Sequence, residues 1–256
     1  MSFDIAALDY LILILVRLTS FMAASPVFSN RSIPNQVKVF LSLMISLSVY
    51  GALYGDAGAS GLTVGWFTFY ALREVLLGLA MGFVTQIIYS AVTTAGQFTD
   101  FQMGFSVSAT FDPMTGSTQA IMGRLYQMVA LVLVFITDAH HRVIAAVYRS
   151  FEVVPLGTPV LEVVRADTVV RLVGQAFAVA LQIATPVILV LLMTDIIMGV
   201  LSKTVPSLNI LMLGMPMKIL IGTAMVMAIF PVLAGGILKV VGDMHGTLER
   251  ILTAFV

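Results

Sequence analysis

Six long apolar segments set the terms for this chain. Their approximate limits are residues 5–27, 38–55, 64–95, 118–137, 169–201 and 217–240. A helix that crosses a bilayer needs about 20 predominantly apolar residues. In lipid, every backbone N–H and C=O must also be satisfied within the segment or its closed partner structure. The segments therefore predict an all-α membrane protein of about six long helices. The third and fifth exceed one span, so they tilt, break or project beyond the bilayer. Composition agrees. Of 256 residues, 59% are hydrophobic and only 10% charged, with a mean hydropathy of +1.05, against about 25% charged residues in soluble domains.

The connections shape these helices into antiparallel hairpins. The turn from Pro26 to Pro34 is short and carries Arg31, with Lys38 just beyond it; short turns make hairpins. Residues 139–151 hold His140, His141, Arg142 and Arg149 among apolar neighbours, the pattern of an amphipathic extension of the fourth helix, ended by Pro155, Gly157 and Pro159. Pro186 predicts a kink in the fifth segment, and Ser207-Leu208-Asn209, around Pro206 and Pro216, predict a break. Leu248, Ile251, Leu252 and Phe255 recur at helical spacing, which suggests an amphipathic helix over about 243–256 on a membrane surface or a partner. The N-terminal segment has Asp4 and Asp9 where a signal peptide carries positive charge, and Arg17 interrupts its apolar run. It is expected to be retained as a helix. No linker divides the chain, so residues 1–256 are expected to form a single domain. Arg31 with Lys38, and Lys203 with Lys218, favour cytoplasmic turns, but the basic residues between the fourth and fifth segments then fall on the opposite side.

Ionised residues inside these segments are the second constraint. Asp9, Arg17, Arg73, Glu74, Arg124 and Asp195 lie within or just inside apolar runs. Each costs about 2.5–3.5 kcal/mol at a helix centre on insertion scales. They must face protein, water or one another. Asp9 and Arg17 are too far apart along a helix to pair directly, and Arg73 and Glu74, being adjacent, point in different directions. Several charges in a small bundle suggest a larger assembly in which helix faces meet partner chains. Glu74, Gly78 and Gly82 share one helix face, as do Asp195, Gly199 and Lys203. Small residues at this spacing let another backbone approach closely, either within the chain or from a partner.

One tract departs from helical spacing. From Phe101 to Phe111 the chain alternates apolar residues (Phe101, Met103, Phe105, Val107, Ala109, Phe111) with small polar ones (Gln102, Gly104, Ser106, Ser108, Thr110), and Asp112-Pro113 follow. A two-residue period belongs to extended chain, and extended chain cannot face lipid unpaired. The tract must lie in water or in a protein-walled cavity, and the second arrangement suggests a gate.

Other chemistry finds little support. There is no P-loop, no H-E-x-x-H and no carboxylate pair at metal spacing. Thirteen basic residues balance thirteen acidic ones without a basic stripe, which excludes a nucleic-acid partner. Cysteine is absent, and with it disulfides and thiolate metal sites. The 16 Met residues suit irregular helix contacts. Gly104-Phe105-Ser106-Val107-Ser108 lacks the final Gly of a nucleophile elbow, so a Ser106–His140 or Ser106–His141 protease is disfavoured. The His140-His141 pair lacks an identified third metal ligand. No cofactor is expected.

An ordered set of residues then resembles the FliR family of flagellar export-gate proteins, called SctT in virulence-associated type III secretion. It comprises Arg17; Ser25-Pro26-Val27-Phe28; Arg31-Ser32-Ile33-Pro34 with Lys38; Glu74, Gly78 and Gly82; Gly96, Asp100, Gln102, Met103 and Gly104; Asp112-Pro113; His140-His141; Ser150-Phe151 and Pro155; Ala184-Thr185-Pro186; and Pro206, Leu208-Asn209-Ile210, Gly214, Pro216 and Lys218. Two departures stand out: Ser207 where Gln is frequent, and Asp138-Ala139 where Gly often precedes the His pair. The resemblance implies a non-enzymatic component of the bacterial inner membrane at the flagellar basal body. Its helical hairpins would stack with FliP-type and FliQ-type subunits into a helical export gate, with an FlhB-type subunit around it. Unfolded flagellar proteins would pass through. It further implies a plug loop over about 96–118, in which Phe105, Val107, Phe111 and Met114 form an apolar stopper while Gly104 and Gly116 let it swing. Arg17, Glu74, Gly78, Gly82, Asp100, Asp195 and Lys203 would be packing or buried-charge positions. The rival class is a secondary transporter with a proton or cation site at Asp9, Glu74 or Asp195.

Overall fold

The computed structural model describes residues 5–29, 33–54, 63–105, 121–156, 166–205 and 210–253, and among these residues the regular structure is helical throughout. The helices are α1 (Ile5–Ala24), α2 (Asn35–Val49, continued by a π-helical turn Tyr50–Tyr54), α3 (Val64–Met103), α4 (Ile121–Ile136), α5 (Ala139–Val153), α6 (Ala166–Thr204), α7 (Ile210–Ala228) and α8 (Phe230–Thr253). An all-α membrane protein is thus what the apolar segments build. Three elements, Asn35–Tyr54, Val64–Met103 and Asp167–Thr204, are long and apolar enough to cross a membrane. Two further pairs, Ile121–Ile136 with Ala139–Val153 and Leu213–Ala228 with Phe230–Leu248, reach that length only when joined across a sharp bend.

The chain packs as two compact units, each built from separated stretches of sequence. The first holds Met1–Ile87, Asp138–Leu172 and Asp243–Val256; the second holds Ile88–Thr137 and Val173–Gly242. No linker could reveal this division, because α3, α6 and α8 each contribute to both.

In the first unit, α2 packs back on α1. Leu13, Ile14, Arg17, Leu18 and Phe21 form the buried stripe of α1, the three-to-four spacing of a helix with one covered face. They lie in the same core as Val49, Leu77, Met81, Val143, Val147 and Phe151. The π turn presents Tyr54, whose ring stacks on Tyr10 at 5.6 Å and whose hydroxyl accepts the Leu156 N–H at 3.2 Å. In the second unit, Met122, Gly123, Tyr126, Ala130 and Val134 form the buried stripe of α4, and Ala180, Ala184, Val187 and Leu191 that of α6. The opposite faces stay apolar and exposed: Leu189, Leu192, Met193, Ile196, Ile197 and Val200 on α6. Such surface suits lipid or a partner chain rather than water.

Three local features differ from the pattern in the sequence. Residues 139–151 are a separate helix, not a prolongation of the fourth. Thr137 closes the last turn of α4 with N–H and hydroxyl bonds to Leu133 O, and Asp138 then takes a left-handed φ of 53° that no helix interior tolerates. α7 starts at Ile210 and includes Pro216, ahead of the 217 limit of the sixth apolar segment, while the break at 207–209 lies outside the described residues; a proline at 216 removes its own N–H bond and leaves the flanking apolar run to hold the helix. The tail is no separate helix either, since residues from Phe230 to Thr253 are continuous.

Candidate functional site

Arg17 and Glu74 meet in the first unit. Arg17 is 1% exposed and Glu74 2%. The Arg17 Nε donates to Glu74 Oε2 in a short ion pair. Its other nitrogens donate to Ser150 O at 3.1 Å and Val154 O at 3.0 Å, and its guanidinium lies 4.2 Å from the centre of the Phe151 ring. Ser150 O, which also accepts the Val154 N–H at 2.9 Å, and the C-cap carbonyl of Val154 lie at the C-terminal end of α5, where a cation is favoured. A single side chain thus neutralises an α3 carboxylate and caps α5. Neighbouring Arg73 points elsewhere, over the Phe69 ring at 4.3 Å. Below the pair, α1 and α3 approach backbone to backbone. A Cβ at Gly78 would fall on Ser20 Oγ and Arg17 O, and one at Gly82 on Ala24. The small-residue face is therefore used within the chain.

The second unit gathers residues around the end of α3. The carboxylate of Asp100, buried in α3, accepts the Met122 and Gly123 N–H groups at 3.0 Å each. It acts as an N-cap for α4 supplied by another helix. Gly96 faces Gly123 so closely that a Cβ would strike the Gly123 backbone. One turn further, Gln102 donates to Asp195 Oδ2 at 3.1 Å, and Lys218 of α7 reaches Asp195 Oδ1 at 2.5 Å. Met103 fills the space that a side chain at Gly222 would need.

α3 then ends. Phe101, Gln102 and Met103 are helical, not extended, because Asp100 and Gln102 tie this turn to α4 and α6. The first eight residues of the 96–118 stretch, 96–103, are accordingly the last turns of α3. Gly104 stops the helix with φ 88°, its N–H bonded to Asp100 O and Phe101 O at 3.1 Å. This is the left-handed glycine that terminates many helices. Phe105 is half-buried. Val107, Phe111, Met114 and Gly116 lie outside the described residues.

Other singled-out residues stand apart. Lys203 is exposed, and a Cβ at Gly199 would meet nothing within 4 Å, so the Asp195–Gly199–Lys203 face is not packed within the chain. Only Asp195 of that trio is engaged, and by Lys218, which the sequence pattern placed in a turn. Asp9, Arg73 and Arg124 all have interactions within the chain. Asp138, His140 and His141 bring their ligand atoms within 4.8 Å of one another, with His141 Nδ1 3.6 Å from Asp138 Oδ1. That trio could hold a cation only against the positive end of α5, and two of its three members are exposed. Ser106, the serine of the protease alternative, lies outside the described residues.

Glu74 and the adjacent pair Ser150-Phe151 lie far in sequence from Arg17 and from each other. The only prior signal for them was that each was an ionised or family-matching residue in an apolar setting. Gly123 and Gly222 carried no signal at all.

The chain matches the family described as "Bacterial export proteins, family 1" over residues 8–244. It is 27% identical over 225 residues to the flagellar biosynthetic protein FliR of Bacillus subtilis (strain 168), covering 87% of this chain and 86% of that relative. It is 29% identical over 224 residues to the flagellar biosynthetic protein FliR of Escherichia coli (strain K12), covering 86% and 84%. To the protein of that name from Caulobacter vibrioides the identity is 27% over 242 residues, covering 94% of each. The match takes in both packed units, the Arg17–Glu74 cluster and the end of α3, and the chain belongs to the bacterial export proteins, family 1.

Proposed function

We propose that the protein is a non-enzymatic, membrane-embedded component of the bacterial flagellar protein export apparatus. In the inner membrane it forms, with FliP-type, FliQ-type and FlhB-type subunits, the pore for unfolded flagellar proteins. The tract beginning at Gly104 is its plug. The observation that carries this reading is the left-handed stop at Gly104, which releases the chain from a helix anchored on both sides by Asp100 and Gln102. A fixed helix end followed at once by an apolar–small alternation is what a tethered stopper requires. Phe105, Val107, Phe111 and Met114 supply the apolar bulk, and Gly104 and Gly116 the freedom to move. Gly174 and Gly199 of α6, where a Cβ would meet nothing within 4 Å, offer partner subunits a close approach.

The transporter alternative needs a carboxylate ready to exchange a proton or cation. Glu74 is instead committed to Arg17, and Asp195 to Lys218 and Gln102. Replacing residues 105–111 by a Gly-Ser sequence in the assembled complex is expected to raise ion leak across the membrane. Unchanged leak with assembly intact refutes the plug. A chain that purifies as a stable, active monomer without partners favours the transporter.

A further inference from the structure

The last turn of α3 is held differently from the turns before it. Upstream, the Phe98 ring meets Phe177 of α6 edge to face at 5.2 Å, and the Asp100 carboxylate caps α4. Past Asp100, Phe101 is 72% exposed, and Gln102 and Met103 make the contacts to α6 and α7. Gln102 donates to one oxygen of Asp195 at 3.1 Å, and Lys218 donates to the other at 2.5 Å. One helical turn beyond Lys218, Gly222 receives the buried Met103 side chain. α3, α6 and α7 thus meet at one carboxylate, and the α3 residue that reaches it stands two positions before the left-handed Gly104.

Exposure separates this contact from the Arg17–Glu74 pair. Those side chains are 1% and 3% exposed, sealed in the core. Asp195 is 38% exposed and Lys218 25%, beside the apolar surface of Ile196, Ile197 and Leu220. A pair so placed contributes little to stability, and it opens without unpacking a core. What it fixes is position. With Lys218 on one oxygen, the Asp195 carboxylate is aimed at Gln102, and α3 stays wound up to Gly104. With the pair open, Gln102 loses its acceptor and the turn from Phe101 frays, which moves the pivot back from Gly104 to Asp100. We propose that Asp195 and Lys218 are positioning residues that latch the end of α3, and that this latch sets how far the tract beginning at Gly104 can move. The movement of that tract rests on its being a plug; the hold on α3 does not.

Amide hydrogen exchange of the full-length chain in the assembled complex reads the latch, and potassium efflux from vesicles holding that complex reads the plug. Asp195→Leu/Lys218→Leu removes both charges together, so neither is stranded. Exchange at Met103 and Gly104 is expected to rise about two- to fivefold, the weight of one partly exposed pair, while Met122 and Gly123, held by Asp100, keep the wild-type rate. Efflux should rise by a similar factor. Asp195→Lys/Lys218→Asp should restore both readings, because the Gln102 carboxamide donates and accepts. Gln102→Leu should match the double variant in exchange. In complexes whose residues 105–111 are replaced by Gly-Ser, the double variant should add no further efflux. Unchanged exchange at Met103 and Gly104, an equal rise at Met122 and Gly123, or a charge swap that restores neither reading overturns the latch. Faster exchange with unchanged efflux, where the Gly-Ser replacement does leak, keeps the latch and refutes its control of the plug. A Gly-Ser replacement that does not leak refutes the plug itself, and exchange still decides the latch.

Discussion

Glu74→Ala isolates a guanidinium that is 1% exposed. Arg17 would keep Ser150 O at 3.1 Å, Val154 O at 3.0 Å and the Phe151 ring at 4.2 Å, but these are dipoles and a quadrupole, not a counter-charge. Removing one member of a buried pair costs about 3–5 kcal/mol. Arg17→Leu costs a similar amount for the stranded carboxylate, and it also takes the guanidinium from the Val154 carbonyl at about 1–3 kcal/mol, while Ser150 O keeps the Val154 N–H at 2.9 Å. The double variant Arg17→Leu/Glu74→Leu leaves no buried charge, only the Val154 carbonyl. Its loss is therefore expected to fall short of the sum of the two single losses by at least about 2 kcal/mol, the mark of coupled neighbours. Glu74→Gln, which keeps an acceptor but drops the charge, belongs between wild type and Glu74→Ala. The measurement is equilibrium unfolding in mixed micelles followed by far-UV circular dichroism, repeated at low and high salt. A dry pair should show little salt dependence. Additive losses, or a deficit that disappears in salt, would refute the claim that the two residues neutralise each other in a water-excluded core.

Four further outcomes follow from the packing and the backbone. Gly78→Ala should destabilise by about 1–3 kcal/mol, since its Cβ meets the Arg17 carbonyl and has no room to shift. Gly199→Ala, with open space around it, should be neutral or stabilise by up to about 1 kcal/mol; thermal melting of the two variants decides between them. Asp100→Ala should cost about 1–2 kcal/mol through loss of the α4 cap, with Asp100→Asn losing less. Amide hydrogen exchange at Met122 and Gly123 reports it directly. Asp138→Gly should hold or raise the melting temperature because the position is left-handed, whereas Asp138→Val should cost about 1–2 kcal/mol.

The helices were legible because lipid permits so few backbone solutions. Helix boundaries inside polar or proline-bearing stretches were not. The period-2 alternation from Phe101 predicts extended chain from its start, yet Phe101 to Met103 are helical. What decided their state was not their own pattern. It was Asp100 reaching the α4 N-terminus and Gln102 reaching Asp195, two contacts with residues more than twenty positions away. Pro216 misled for a related reason: a proline removes a single bond, and the apolar run around it outweighs that loss. The Arg17–Glu74 pair was legible as two costly charges but not as a pair, since a helical wheel shows which face a residue takes and not which helix faces it. Gly78 and Gly82 announced a close approach, and only the fold identifies α1 as the neighbour. Asp138-Ala139, a departure from the family pattern, falls on the backbone break that a glycine would enter without strain.

The pairings also change what the charges imply about assembly. Six ionised residues in apolar runs suggested that foreign subunits must cover them. Arg17 and Glu74 cover each other, Asp195 has Lys218, and Asp9, Arg73 and Arg124 are engaged within the chain. Charge burial therefore gives no reason for partners. The reason lies in shape instead. Lipid tails are as apolar as a leucine face, so exposed Leu, Ile and Val on α6 gain nothing from leaving lipid, and helices in a bilayer associate through close van der Waals fit and interhelical polar contacts. The residues that can make such a fit from outside the chain are small ones with open space beside them, and Gly174 and Gly199 of α6 are of that kind. Large residues at these two positions should therefore leave the fold intact and lower co-purification with partner subunits. The same substitutions on the exposed Leu192–Met193 surface between them, made to other apolar residues, should do neither. If Gly199→Leu assembles as wild type while Leu192→Ala does not, partner recognition runs through hydrophobic bulk and not through close approach.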